Sequence, residues 1–375
     1  MMYNSKLSKD PFKSTINDLK MFEQTQYCFE YIKQESNSKS DEEIMVHAEI
    51  ASACFRQASE YYKAAISVSL CTSPLLFSYA LNNILKGTCY LKTFDNEIIS
   101  GFSSHGFSVK NEDIYENILK SKIQVKWHGA AVSLLKLFGN SIESQEIEFN
   151  KILRHIPGIR DTYFKTTGEV SLLAIKDKND TSKYIIKGNA LNDEIGNIAQ
   201  EFGIVGTIIP REESCYCYLN MKCKNSIDEG IYSKDNIFYR NYLNIPDRFK
   251  EGIKDINIIF YCYLLIMSYG MLVRYNAHKW EKFIDKKISK EATLIELSVT
   301  NAVVNFYYQI HYILFNYYYK EDSYNDLDVK KVIRESTKDI MNNITREIRH
   351  HNLQYNSHEL LPWDENYKWL AKMEE

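Results

Sequence analysis

Proline and glycine are scarce in this 375-residue chain, at six and 14. Proline removes a backbone donor and glycine loosens the chain, so their scarcity favours long regular elements over a loop-rich fold. Cysteines are scattered. The eight, Cys28, Cys54, Cys71, Cys89, Cys215, Cys217, Cys223 and Cys262, contain no C-x-x-C pair. A structural zinc site needs four ligands at recognisable spacings, so these read as free thiols, and no metal or cofactor is expected. No sign of charge dominates: 46 Lys and Arg stand against 49 Asp and Glu, a net charge of −3. Any nucleic-acid surface must therefore be a local patch. The G-x-x-x-x-G-K-[ST], G-x-G-x-x-G, H-E-x-x-H and G-x-S-x-G motifs are absent, so spacing alone proposes no nucleophile and base. The first residues, MMYNSKLSKDPFKST, lack an apolar h-region. With the unpaired cysteines, this implies a reduced, cytoplasmic protein.

What is present is ordinary for a folded chain: 45% hydrophobic and 25% charged residues. Tyrosine is abundant, at 28. An AT-rich genome explains this, and aromatic surfaces that stack bases are the alternative. The chain is organised around 256–280, INIIFYCYLLIMSYGMLVRYNAHKW, whose first 18 residues carry no formal charge. That is the minimum length for a membrane span. Asn257, three tyrosines, Ser268 and Gly270 lower its hydrophobicity, and mean hydropathy over the chain is −0.38. A central helix of a soluble bundle is also hydrophobic all round, so no membrane is expected.

The expected fold is mainly α: a helical bundle with a small inserted antiparallel β-sheet. An N-terminal extension, 1–40, holds an aromatic helix candidate at 17–33. An N-terminal helical part, 41–167, begins with Ser40 as a helix cap and acids in the first turn. Its helices fall at 42–69, 75–91, 113–122, 130–138 and 146–155, with a loop at 92–109. Alternating β-branched residues at 169–175, 183–187, 203–209 and 215–221 predict a sheet within 168–224, with a short helix at 192–200. A C-terminal helical part of the same bundle, 225–320, carries helices at 253–275 and 291–319. A helical extension, 321–375, follows with a polar helix at 328–351.

Several stretches resemble the YaaC-like proteins of bacteria. FRQASEYYKAAISVSLCTSPLLFSYALNNILKGTCYL, residues 55–91, resembles that family's long helix, Ser/Pro break and following helix. His105-Gly106-Phe107 resembles its H-G-L element, and LRHIPGIRDTY, 153–163, its L-x-x-I-P-x-I-x-x-x-Y segment. LLIMSYGMLVRYNAHKW, 264–280, is similar to its R-Y-x-P-x-x-W segment, with Ala277 in place of proline. The helix pair at 55–91 also looks like the HEPN superfamily, whose helical bundles include metal-independent ribonucleases of toxin and anti-phage systems. Their R-x4–6-H signature has one match here, Arg346 to His351, with Glu347 where Asn, His or Asp is usual. The HEPN resemblance implies RNA as substrate, a homodimer sharing the site, and a partner protein of a defence system.

Three constellations are candidates. In an HEPN-type reaction His351 would move a proton at the ribose 2′-OH or the leaving oxygen, and Arg346 would stabilise the phosphorane charge. A solvated mixed-charge helix explains the same residues, since Lys330, Lys331, Arg334, Lys338 and Arg349 face Glu335, Asp339 and Glu347. Second, Arg274, Tyr275 and His278 close the apolar stretch. If the helix continues, Arg274 and His278 share a face and suit a phosphate or nucleotide; otherwise Arg274 caps carbonyls and Trp280 packs. Third, Asn82 and Lys86 lie one turn apart on an apolar helix and with His105 could line a polar pocket. The expected function is thus a YaaC-like protein acting on or binding RNA. The alternatives are a non-catalytic sensor or interaction module binding a nucleotide or partner, and a membrane-associated protein.

Overall fold

The computed structural model describes residues 4–8, 10–36, 38–109, 117–137, 145–156, 158–169, 258–315 and 317–321, and the strand residues 173–176, 183–187, 206–210, 216–221 and 242–244. The chain opens with a strand, β1 (Asn4–Ser8). Helix α1 (Pro11–Leu19) follows, capped by the Asp10 side chain accepting from the Lys13 N–H at 2.9 Å. After a short 3-10 turn comes α2 (Thr25–Glu35). The single helix expected at 17–33 is therefore two helices, and their buried Leu19, Cys28 and Ile32, with Phe22 of the turn between them, join the main core.

Two long antiparallel partners come next. α3 (Asp41–Ser67) starts at a capping box: Ser40 Oγ accepts from the Glu43 N–H at 3.2 Å, and Glu43 Oε2 accepts from the Ser40 N–H at 3.2 Å. Two orphan donors of the first turn are thereby satisfied. Its buried Ile44, Ala48, Ala51, Phe55 and Ala58 recur every three or four residues and face α4 (Ser73–Lys92). Pro74 sits in the first turn of α4, where its missing N–H costs nothing.

The region between 92 and 160 differs from expectation. The loop expected at 92–109 contains α5 (Asn96–Ser100), a 3-10 turn and a strand, β2 (Phe107–Val109). At the end of the helix expected over 113–122, the described residues form a 3-10 turn, Ile118–Lys120, and then β3 (Lys122–Val125). α6 (Ala130–Leu137) is present as expected. The helix expected at 146–155 is instead β4 (Gln145–Glu148) running into the single turn α7 (Phe149–Leu153). β2, β3 and β4 form an antiparallel sheet that pairs Phe107 with Val125 and Ile123 with Ile147. Val125, Ile123 and Ile147 are buried, so this sheet belongs to the core. α8 (Arg160–Thr167) ends at Gly168, which takes the left-handed conformation of a helix C-cap.

The second sheet lies where alternation placed it. β5 (Leu173–Lys176), β6 (Lys183–Lys187), β7 (Gly206–Pro210), β8 (Tyr216–Met221) and β9 (Tyr242–Asn244) are ordered β7-β8-β6-β5-β9, with every neighbour antiparallel. β9 extends the sheet beyond the expected limit of residue 224. The expected helix at 192–200 lies outside the described residues.

The helical core closes with α9 (Ile258–Tyr275), α10 (Ala277–Ile284) and α11 (Ala292–Phe315). The expected helix at 291–319 ends earlier, because residues from Tyr317 form β10 (Tyr317–Glu321), parallel to β1. α9 is the one helix among the described residues long and apolar enough to cross a membrane, and 78% of it is buried inside the protein. Its residues from Ile258 to Gly270 are buried on every side, as a central helix requires. Gly270 lets α9 approach α4, since a Cβ there would stand 2.6 Å from Ser78 Oγ. Hydrogen bonds tie α9 to both neighbours: Tyr263 Oη donates to Asn82 Oδ1 of α4 at 2.8 Å, and Tyr269 Oη meets Ser298 Oγ of α11 at 3.1 Å.

Candidate functional site

The apolar run of α9 ends at Tyr275, and the chain turns at Asn276 (φ −139°, ψ 45°) before α10 begins. The Asn276 carbonyl starts the new helix by accepting from the N–H groups of Lys279 and Trp280. Arg274 and His278 thus lie on two helices, and the shared face expected for a continuous helix does not form. Both are exposed, as is Tyr275 at 64%. The Arg274 guanidinium lies over the Tyr275 ring, 5.1 Å from its centroid. Trp280 anchors this end: it is fully buried, packs on Tyr269, and donates Nε1–H to the Leu70 carbonyl at 3.0 Å.

α9 packs against β2, and the charge of Arg274 reaches the loop that precedes that strand. Desolvation, then the charge of Arg274, push the pKa of His105 below its ordinary value. Of the expected ligand-binding residues, Arg274, Tyr275 and His105 are therefore exposed on neighbouring segments, the end of α9 and the loop before β2, with His278 at the start of the next helix. No Asp or Glu occurs in 101–109, 122–137 or 258–280. Arg274 makes no ion pair among the described residues.

Asn82 and Lys86 stand elsewhere. Asn82 accepts from Tyr263, and the charge of Lys86 acts on Cys54 of α3. Tyr263 precedes Arg274 by eleven residues, roughly 16 Å along α9 at about 1.5 Å per residue. No hydrogen bond or ion pair joins Asn82 or Lys86 to His105 among the described residues. Arg346 and His351 lie outside the described residues. No group of three or more His, Cys, Asp and Glu that could hold a metal ion occurs among the described residues.

The loop 126–130 is a neighbour that motif reading passed over. It lies against the His105 loop through three backbone hydrogen bonds: Lys126 N–H to Gly106 O at 2.8 Å, Ala130 N–H to Ser104 O at 2.9 Å, and Ala131 N–H to His105 O at 3.1 Å. Gly129 (φ +125°) and Gly106 (φ +78°) make the approach possible, because a Cβ on Gly129 would collide with the Gly106 backbone. Lys126, Trp127 and His128 are exposed on it. The available signal was a tryptophan in a polar K-W-H-G turn, outside any apolar periodicity.

A family model described as YaaC-like protein matches residues 20–314. No curated protein and no solved structure matches the chain.

Proposed function

The chain belongs to the YaaC-like family, and we propose that this member binds a phosphate-bearing ligand, a nucleotide or RNA, on the surface formed by Arg274 and His105. The packing of α9 against β2 and α6 supports this reading, because it brings three acid-free segments together and puts the charge of Arg274 within reach of His105. An arginine offers a planar fork of donors that matches phosphate geometry, and a nearby imidazole can add a second positive charge when protonated. Neither residue is spent on a carboxylate among the described residues. Binding of ATP or a short RNA to the full chain tests this, measured by calorimetry. Arg274→Ala is expected to weaken binding at least tenfold, and equal affinity in the variant defeats the proposal.

A catalytic reading rests on the Arg346 to His351 spacing and stands separately from this surface. As an HEPN-like ribonuclease of a toxin or anti-phage system, the protein would cleave RNA without metal, through a site shared in a homodimer. Cleavage in the presence of chelator, lost in Arg346→Ala and His351→Ala, is its test.

A further inference from the structure

The two most exposed of the Phe, Trp and Tyr residues of the described region lie on the segments that carry Arg274 and His105 or are bonded to them. Trp127 is 79% exposed and Tyr275 64%. Tyr275 follows Arg274 directly, while Trp127 lies on the loop whose backbone is bonded to Ser104, His105 and Gly106. A tryptophan left in water exposes an apolar ring that folding ordinarily covers. Nor does Trp127 sit on a loose segment. Its loop is closed by the three backbone bonds to 104–106 and by the glycine pair, and it leads into the buried start of α6. The fold therefore holds the ring outward on a fixed support, and His128 lies beside it at 6.2 Å between centroids.

The segments that carry these rings, 122–137 and 258–280, hold cations and no acid. Lys122 and Lys136 are paired, with Glu146 and Glu97. Lys126 and Arg274 make no ion pair among the described residues. His105, His128 and His278 add three exposed imidazoles. Rings that present a flat face to solvent, interleaved with uncompensated cations, suit a chain of bases joined by phosphates. Bases stack on such rings whatever their sequence, and the backbone follows the cations. A duplex hides its bases, so it offers the rings nothing.

We infer that Trp127 and Tyr275 are stacking platforms and that the ligand of this surface is single-stranded nucleic acid, with Lys126 and Arg274 on its phosphates. This rests on the proposed binding role of Arg274 and His105, and names the ligand class for it. The test uses the full chain with a fluorescently labelled single-stranded oligonucleotide of about a dozen nucleotides, its duplex, and ATP, read by anisotropy and calorimetry. Trp127→Ala is expected to weaken the single strand about tenfold and ATP by less, since a strand stacks several bases and ATP has one, with Trp127→Phe near native. Arg274→Ala is expected to weaken both ligands. Because Trp127 is mostly solvated, its replacement leaves the core intact, and an unchanged melting temperature confirms it. If Trp127→Ala binds the single strand as the native chain does, or duplex binds equally well, the stacking inference is overturned while an Arg274-dependent affinity for ATP keeps the parent reading. If Arg274→Ala binds both ligands like the native chain, the parent reading fails instead.

Discussion

Trp280 donates its indole N–H to the Leu70 carbonyl at 3.0 Å, tying the start of α10 to the turn between α3 and α4. This bond and the packing of Trp280 on Tyr269 hold the break at Asn276 in place, and with it Arg274. Trp280→Phe removes the donor and leaves the carbonyl short of a partner, at a cost of about 1–3 kcal/mol. Trp280→Ala also opens a cavity and is expected to cost about 3–5 kcal/mol. Urea unfolding midpoints measure both.

Gly129→Ala strikes the junction of the two loops. Its positive φ disfavours any side chain, and the added Cβ would meet the Gly106 backbone, which cannot swing aside as a flexible side chain would. The expected loss is about 1–3 kcal/mol or more, with a drop in ligand affinity because His105 and Trp127 lose their common support. Thermal melting and titration of the same sample separate the two effects.

His105 makes binding depend on pH. Its pKa lies below the ordinary histidine value of about 6.5, so in the free protein the imidazole is neutral near pH 7. A phosphodiester favours the protonated form, so binding draws in a proton. Affinity for a dinucleotide, whose phosphodiester does not titrate in this range, should rise as pH falls from about 8 to about 6. His105→Ala should show a flatter profile over the same window.

His47 gives a pH effect on stability instead. It stacks on Phe94 at 4.0 Å, and its Nδ1 is 3.1 Å from the Tyr90 carbonyl oxygen. Desolvation lowers its pKa below 6.5. The folded state therefore prefers the neutral ring. Stability from this group is present above 6.5 and lost as pH falls through the lowered folded value. His47→Phe keeps the stack and does not titrate, so native and variant melting temperatures should diverge on acidification, with the native chain losing more.

Much of the helical frame was legible in the sequence. Ser40 and Glu43 marked the start of α3, Ser73-Pro74 marked α4, and apolar spacing located their buried faces. Alternation also placed β6 at its observed bounds. The three-stranded sheet was not legible, because β2, β3 and β4 have only three to four residues each and their pairing joins segments far apart in sequence. A run of four residues is too short to show a period. The end of α9 at Tyr275 matches the expected bound, but with Ala277 in place of proline the sequence left open a helix running on to His278. Arg274, Tyr275, His278 and His105 could be named from residue type, but that α9 packs against β2 and brings the charge of Arg274 within reach of His105 is a tertiary fact. Trp127 carries no helical or strand periodicity, and its importance comes from an exposure that no sequence pattern encodes.

The claim at the centre of this account is that Arg274 and His105 act on one ligand. A double-mutant cycle with Arg274→Ala, His105→Ala and the combined variant, read as affinity for a single-stranded oligonucleotide at about pH 6, tests it directly. Residues sharing a phosphate should be coupled by about 0.5–3 kcal/mol, so the double variant loses less than the two single losses added together. Losses that add, or single variants that bind as tightly as the native chain, would contradict it.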